Sequence, residues 1–239
     1  MLGLGLGNSL PKTSSVSSSV IPGVSGLQAW YKFKTDASSS QWSDQSDNGN
    51  NATQSTGADQ PSYNSTTGAF GFDISTEFDI GSAFNLDART IIFALDFAVT
   101  KSSGTVNYHV LMHTNGQGIN VGNVQAYLPG DYFYSGGNTA SLTAIGTSGT
   151  ITNGTKVLLT YTQTTQDDGG VLKVRKNGTQ IATATVSTAD GNGQYDRLGR
   201  IDQRGFEGNM YEVVIFDEVL SSSDLTAVED EIMARTGIS

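Results

Sequence analysis

Two carboxylates, Glu77 and Asp79, have a spacing that could serve the hydrolysis of a glycosidic bond. Residues two apart on a β-strand point to the same face, and retaining glycosidases use two carboxyl groups about 5–5.5 Å apart. Three positions further on, the residue is Ser82, so no third carboxylate follows Glu77 and Asp79 closely on the strand. The sequence therefore predicts a strand with two outward carboxylates, and no active site.

The two histidines, His109 and His113, are four residues apart in a predicted strand and so face the same side. Two imidazoles can bind a metal, but no carboxylate stands at a helpful spacing, which favours ordinary strand residues. The chain has no cysteine, which excludes disulfides, thiol catalysis and cysteine-bound zinc. It also lacks a Gly-x-Ser-x-Gly nucleophile motif. We predict that the protein is not an enzyme.

A glycine-rich segment offers oxygen ligands of the kind that calcium prefers. Its candidate ligands are Asp190, Asn192 and Asp196. The pattern of an EF-hand loop is incomplete, because Ile201 stands where the loop would end in Glu. A plain turn is the alternative interpretation. Asp44 and Asp47 offer similar oxygens. We expect no cofactor, and calcium is the single alternative.

Aromatic side chains gather around Pro129 and Gly130, in a stretch whose glycines predict turns. Aromatic rings on a loop can stack on sugars or anchor a protein interface, and packing in the core is the alternative. The residues concerned are Tyr127, Tyr132, Phe133 and Tyr134.

The charge pattern excludes some partners. The net charge is −10 and only 15% of the residues are charged, whereas a nucleic-acid binder needs a basic surface. Anionic membranes are disfavoured for the same reason. The densest basic run, at 173–176, is typical of a solvated strand face. No apolar stretch approaches the length of about 18 residues that a membrane span requires.

Strands and turns must position these residues. Thr90–Val99 is almost continuously apolar, which predicts a central strand buried on both sides. Asn177-Gly178 is a hairpin signal. Ten or more strands without an intervening helix predict a sandwich of antiparallel sheets. The other strand candidates are Leu27–Phe33, Phe70–Ile74, Thr76–Ile80, Tyr108–His113, Gly118–Leu128, Lys156–Thr164, Val171–Lys176, Gln180–Ser187 and Tyr211–Phe216.

One short helix is predicted at the C-terminus. Ser221 is an N-cap candidate, with Asp224 completing a capping box. Gly237 supplies a left-handed stop. The apolar residues that fall at helical spacing are Leu225, Val228 and Ile232, so one stripe of the helix should pack on the sandwich.

Four stretches together resemble the laminin-G-like, or concanavalin A-like, jelly-roll family. They are Gly26–Phe33 with Asp44–Thr53, Asn85–Phe97, Lys173–Ile181 and Gly205–Ser223. The resemblance covers residues 26–239 and implies an antiparallel jelly-roll sandwich. This fold serves lectins, glycosidases, adhesion modules and virus components alike. Glucanases of this fold carry Glu-x-Asp-x-x-Glu on one strand, a motif that Ser82 interrupts in this chain.

Residues 1–25 differ in composition from the sandwich at 26–239, and we assign them to an extended N-terminal arm. Ordering such a segment costs about 1–2 kcal/mol per residue in backbone entropy, so an ordered arm implies a partner. The alternative is a floppy terminus. The residues of the arm that would dock are Leu2, Leu4, Leu6 and Leu10. The MLGLG start joined to this domain resembles virion proteins of tailed bacteriophages, especially those of cyanobacteria.

The sequence thus favours a non-enzymatic structural protein at a virion surface, as a capsid decoration or fibre-like component. Its arm would dock on the capsid, on another virion protein or on a neighbouring copy. The alternative is a carbohydrate-binding module, secreted or at a cell surface, that recognises host or surface glycans. Neither nucleic acid nor a membrane is an expected partner.

Overall fold

The computed structural model describes residues 18–98, 109–113, 123–127, 132–136, 145–146, 151–165, 169–185, 194–201 and 204–239. Within these ranges, short antiparallel strands are followed by one α-helix. In chain order the strands are β1 (Leu27–Tyr31), β2 (Ala37–Ser38), β3 (Gln41–Trp42), β4 (Ala52–Thr53), β5 (Ser62–Asn64), β6 (Ala69–Phe72), β7 (Phe78–Asn85), β8 (Arg89–Phe97), β9 (His109–His113), β10 (Asn123–Tyr127), β11 (Tyr132–Gly136), β12 (Ile145–Gly146), β13 (Val157–Gln163), β14 (Val171–Lys176), β15 (Thr179–Thr185), β16 (Gln194–Leu198), β17 (Arg200–Ile201), β18 (Arg204–Gly205) and β19 (Gly208–Phe216).

These strands form two large sheets. The first sheet has the order β15-β14-β13-β8-β19-β6-β5, with β1 also paired to β19. The second sheet has the order β12-β11-β10-β9-β16-β7-β4-β3-β2, and β17 and β18 form a small ribbon of their own. The predicted all-β sandwich with one C-terminal helix is confirmed.

Strand β8 separates two apolar layers. Ile91, Phe93 and Leu95 lie in the main core of the sandwich. Ile92 and Ala94 belong to a second cluster, between the first sheet and the helix. Because side chains alternate along a strand, the run Ile91–Leu95 needs apolar residues at every position, and all nine residues of β8 are buried. The prediction of a central strand buried on both sides is confirmed.

Helix α1 (Ser222–Thr236) covers the outer face of the first sheet. Ser221 accepts a hydrogen bond from the Asp224 backbone N–H, as the capping box requires, and Gly237 ends the helix at φ 72°. Its packing residues are Leu225, Val228 and Ile232, so the predicted apolar stripe is confirmed. No helix in the described part of the chain is long and apolar enough to cross a membrane.

The described part of the predicted arm contacts the sandwich itself. Ile21 opens a 3-10 turn, Ile21–Gly23, and is fully buried in the cluster beneath helix α1. The Ser19 hydroxyl donates to the Glu231 carboxylate at 2.5 Å, and the Val20 backbone N–H donates to the same group at 2.7 Å. Residues 18–23 are therefore fastened to the helix. The predicted docking residues lie outside the described residues: Leu2, Leu4, Leu6 and Leu10.

Candidate functional site

Four strands of the second sheet place a row of polar residues on its outer face. Thr53 pairs with Asp79, Asp79 with Arg197, and Arg197 with His113. Directly opposed residues of paired strands share one face of the sheet. The residues next to them along the strands lie in the main core: Ala52, Phe78, Leu198 and Met112. The row therefore points away from the core.

A cleft of about 370 Å³ opens beside this row. Its volume falls within the range of small-molecule sites, about 300–1,000 Å³. Hydroxyl, amide, carboxylate and guanidinium groups line it, and no aromatic side chain does so among the described residues. The lining residues are Ser40, Thr53, Gln54, Ser55, Thr56, Asp59, Glu77, Asp79 and Arg197.

The loop after β4 forms one wall of the cleft, and three amide contacts hold its shape. The Gln54 side chain accepts from the Thr56 backbone N–H at 2.9 Å. Gln60 donates from its side chain to the Gln54 carbonyl at 2.8 Å. The Glu77 backbone N–H donates to the Asp59 carbonyl at 2.9 Å, joining this loop to the approach of β7. The wall is thus a hydrogen-bonded unit with its carboxylates facing the cleft.

Asp79 and Arg197 form an ion pair across the floor of the cleft. Nη1 of Arg197 lies 2.6 Å from Oδ1 of Asp79, whose carboxylate is 45% exposed. The same oxygen accepts the Gly81 backbone N–H at 2.8 Å. Asp79 is therefore held in one orientation, in an ion pair that remains accessible to solvent.

A bulge in β7 overturns the simple alternation assumed for the carboxylates. Phe84 pairs with Tyr195 and Asp79 with Arg197, so residues 80–83 stand opposite Asp196 alone. Gly81 takes φ 79° within this bulge, which a residue without Cβ adopts at low cost. Regular period-two counting therefore fails at Ser82, which lies in the bulge.

Glu77 is the carboxylate of the cleft with the most perturbed environment. Burial raises its pKa, and the charges of Asp59 and Asp79 act in the same direction, while Arg197 and Arg200 oppose them. Arg200 is itself 3.5 Å from Asp59. Among the described residues, no ion pair or side-chain hydrogen bond engages the Glu77 carboxylate. Glu77 is thus available as an acceptor for a hydroxyl group of a ligand.

The aromatic cluster lies on strands, whereas the glycine pattern predicted a loop. Tyr127 pairs with Tyr132, and Phe133 and Tyr134 follow in β11 opposite Ala126 and Gln125. Aromatic residues favour strands, and this preference overrides the turn signal of the neighbouring glycines. The backbone of all four aromatic residues belongs to the β10–β11 hairpin of the second sheet. They are Tyr127, Tyr132, Phe133 and Tyr134.

Of the three predicted calcium ligands, one lies in a strand and two lie outside the described residues. Asp196 lies in β16, where it opposes the bulge of β7, so its placement in a flexible loop is wrong. Asp190 and Asn192 lie outside the described residues. Within the part of the chain that the structure describes, no group of three His, Asp or Glu side chains is placed to hold a metal ion.

Asp44 serves the fold as a hydrogen-bond acceptor. Its carboxylate accepts backbone N–H groups of Trp30 at 2.8 Å, Ser46 at 2.9 Å and Asn50 at 2.9 Å. The Ser46 hydroxyl adds a fourth contact at 2.7 Å. These donors occupy both carboxylate oxygens and fasten the loop to β1. The similar calcium interpretation for Asp44 is therefore replaced by a structural role.

The two histidines have different surroundings. His109 is fully buried, accepts the Glu207 backbone N–H through Nδ1 at 3.2 Å, and packs against Phe97 with ring centroids 4.8 Å apart. His113 is also buried, and its strand register sets it beside Arg197 in the polar row. The structure therefore places His113 beside Arg197, which lines the cleft, and His109 against an aromatic ring of the core.

The comparisons with known proteins identify the fold. No protein-family profile and no curated protein sequence matches this chain. The binding domain of botulinum neurotoxin DC, in complex with SialylT, gives a TM-score of 0.60 at 15% identity, over 87% of this chain and 52% of that chain. The Trypanosoma rangeli sialidase in complex with sialic acid gives 0.57 at 11% identity, over 89% and 33%.

A third similar structure belongs to botulinum neurotoxin type C, whose cell entry depends on interaction with two ganglioside molecules. Its TM-score is 0.59 at 14% identity, over 87% of this chain and 51% of that chain. This chain spans about half the length of the toxin chains and a third of the sialidase chain. At these identities the likeness establishes a shared β-sandwich fold, as the concanavalin A-like resemblance implied. It gives no indication of a bacteriophage virion.

Proposed function

We propose that this protein is a non-catalytic carbohydrate-binding module and that the cleft on its second sheet is the binding site. The observation that carries the proposal is the lining of the cleft, which combines acceptors and donors on a solvent-facing surface. A sugar presents several hydroxyl groups, each both donor and acceptor, so a site for it needs this mixture.

The individual groups have suitable roles. Glu77 accepts hydrogen bonds from hydroxyl groups of the sugar, and Arg197 donates from the nitrogens not engaged by Asp79. Gln54 and Thr53 border the sugar ring. Charge-assisted hydrogen bonds of this kind are stronger than neutral ones. The hydrogen-bonded wall fixes the loop before the ligand arrives, which reduces the entropy that binding must overcome.

The solved structures support the same class of ligand. Two of the fold's similar structures are complexes, one with SialylT and one with sialic acid, and a third concerns interaction with gangliosides. Each of these ligands is a ligand of the similar protein named with it. They support a glycan as the ligand class for this chain, since sheet architecture of this type accommodates carbohydrate.

The non-catalytic part of the proposal rests on the carboxylates. In most glycosidases, retaining or inverting hydrolysis uses two carboxyl groups that flank the glycosidic bond. Asp79 is committed to Arg197 and to the bulge, and Asp59 stands near Arg200. Among the described residues, no second carboxylate remains that could act with Glu77 as the acid, base or nucleophile of such a reaction. Binding without turnover is therefore the expected behaviour.

A glycan array tests the proposal. The purified protein is applied to neutral and acidic mono- and oligosaccharides, with hits measured by calorimetry. Thr53→Tyr should fill the cleft and abolish binding, and Asp79→Asn should weaken it by about tenfold or more, because the change removes the ion pair that positions Arg197 for its charge-assisted hydrogen bonds. Asp230→Asn, an exposed change on helix α1, is the matched control. No binding at millimolar sugar, or equal binding by the Asp79 and Asp230 variants, would overturn the proposal.

A structural role at a virion surface is the second candidate. It is supported by the apolar arm predicted at 1–25 and by the attachment of Ser19 to the helix. Helix α1 covers the first sheet, whereas the cleft belongs to the second sheet. An arm leaving from the helix side would let the cleft face outward. Deletion of residues 1–17, which spares buried Ile21, should then prevent incorporation into virions while glycan binding persists. Normal incorporation of the truncated protein would contradict this role.

A further inference from the structure

A second cavity, of about 310 Å³, lies on the other side of the wall that borders the cleft. We call it the rear cavity. Polar and apolar groups line it in similar measure, as at sites that accept the hydroxyl edge and the carbon face of a sugar. The lining residues that matter are Gln60, Ser62, Gly71, Phe72, Thr76 and Asn209.

The cleft and the rear cavity are lined by residues that are adjacent in the chain. Asp59 and Glu77 line the cleft, while their chain neighbours Gln60 and Thr76 line the rear cavity. The Glu77 N–H donates to the Asp59 carbonyl at 2.9 Å and joins the two segments. Asp59 ends a 3-10 turn, Gly57–Asp59, and Gln60 follows it in extended conformation. The cleft and the rear cavity are therefore neighbours that share a single thin partition.

The floor of the rear cavity is kept open by a glycine. Gly71 lies in β6, and a Cβ on it would come within 2.7 Å of the Ser62 hydroxyl and 3.6 Å of Oδ1 of Asn209. The side-chain N–H₂ of Asn209 donates to Asp96 at 3.0 Å. Its amide is thereby oriented, and its Oδ1 is left as the acceptor beside Gly71. The floor offers bare backbone, one oriented acceptor and a hydroxyl.

From this arrangement we infer that the glycan ligand is an oligosaccharide that occupies both cavities and crosses the partition between them. This inference rests on the proposed function, because it extends the same site. The rear cavity supplies a second subsite with Ser62, Asn209 and Phe72, and the partition residues Gln60 and Asp59 lie under the linking sugar. Affinity should therefore rise with chain length until both cavities are filled, as for linked binding groups.

The test compares chain lengths and two blocking variants. The probes are matched oligomer series, from monosaccharide to hexasaccharide, of glucose, N-acetylglucosamine, galactose and mannose, together with sialyllactose. Ser62→Tyr projects a ring into the rear cavity from exposed edge strand β5. Ser65→Tyr, an exposed turn residue of the same hairpin, is the matched control, and Thr53→Tyr blocks the cleft. Thermal unfolding verifies that each variant folds.

For the series that binds wild-type protein, the longer members should bind about tenfold or more tightly than the shortest. Ser62→Tyr should remove this gain and leave the short members unchanged, whereas Ser65→Tyr should keep it. If the oligomers bind and Thr53→Tyr abolishes binding, but Ser62→Tyr equals Ser65→Tyr, the second subsite is wrong and the proposed function stands. If none of the probes binds wild-type protein, the proposed function itself fails.

Discussion

Glu212 and Arg235 form a two-point ion pair between the first sheet and the last turn of helix α1. Nη2 of Arg235 donates to Oε1 of Glu212 at 2.6 Å, and Nε donates to Oε2 at 3.0 Å. Glu212 is fully buried in β19 and also accepts the Trp30 indole N–H at 2.7 Å. The helix thus neutralises a charge that the sheet has taken out of water.

Removing the arginine should destabilise the protein strongly. Arg235→Met leaves Glu212 as a buried carboxylate without its cation, and breaking such a pair costs about 3 kcal/mol or more. Urea unfolding followed by circular dichroism would measure the loss. Lys173→Met removes an exposed cation of β14 and should have little effect. A loss in the Arg235 variant no larger than in the Lys173 variant would contradict the role of the ion pair.

The raised pKa of Glu77 predicts that the stability difference between wild-type protein and a Glu77 variant depends on pH. Burial raises the pKa of Glu77 above the ordinary value of 4.5, so the folded state binds this proton more tightly than the unfolded state does. The stability that protonated Glu77 provides is complete below pH 4.5 and is lost as the pH rises through the folded-state pKa. Glu77→Gln should therefore raise the melting temperature at neutral pH, and the difference should vanish below pH 4.5.

Melting temperatures between acid and neutral pH would check this difference. The matched control is Asp230→Asn, which neutralises an exposed helix carboxylate. A Glu77 variant that is less stable than wild type at neutral pH would show that the fold favours the charged form of Glu77, and the predicted upward pKa shift would then be wrong.

The charge of the cleft predicts a preference among glycans. Three carboxylates, Asp59, Glu77 and Asp79, line it against one guanidinium, Arg197, and Arg197 is already paired. A sialylated oligosaccharide should therefore bind more weakly than its asialo counterpart. Salt screens such repulsion, with a Debye length of about 10 Å at 0.1 M, so high salt should narrow the difference. Calorimetry with both sugars at low and high salt provides the measurement, and tighter binding of the sialylated form would refute the expectation.

The loop at Asp44 predicts stability without a metal. Asp44→Ala leaves the backbone N–H groups of Trp30, Ser46 and Asn50 without their acceptor. Trp30 is buried, whereas Ser46 and Asn50 are partly exposed and can turn to water. A buried donor left unpaired costs about 1–3 kcal/mol, so the variant should lose stability in this range in chemical denaturation. A calcium chelator should leave the wild-type curve unchanged. A curve shifted by the chelator, and restored by calcium, would contradict a purely structural role for this loop.

The sequence was most informative where each residue has a local reason for its structure. The apolar run Ile91–Leu95 of β8 and the caps of helix α1, Ser221 and Gly237, follow from periodicity and capping chemistry, and the structure has both. Asn177 and Gly178 also take the positive φ angles of the predicted hairpin turn. These features need no knowledge of distant residues.

The cleft was not predictable in the same way. Asp79 and Arg197 are brought together by the pairing of β7 with β16, and strand order cannot be read from local patterns. The bulge at 80–83 also defeats period-two counting, although Gly81 is a signal for a bulge that the sequence does contain. The aromatic hairpin shows the converse error, since the glycine signal was given more weight than the strand preference of Tyr132 and its neighbours.

The attachment of Ser19 and Val20 to Glu231 has a mechanical consequence. Glu231 is bonded to Arg235 at 2.6 Å, and Arg235 to Glu212 of the first sheet. A pull on the chain ahead of Ser18 would be transmitted along these contacts to the centre of the first sheet. The strands that carry the cleft lie outside this load path, so tension on a tether would leave the shape of the cleft unchanged.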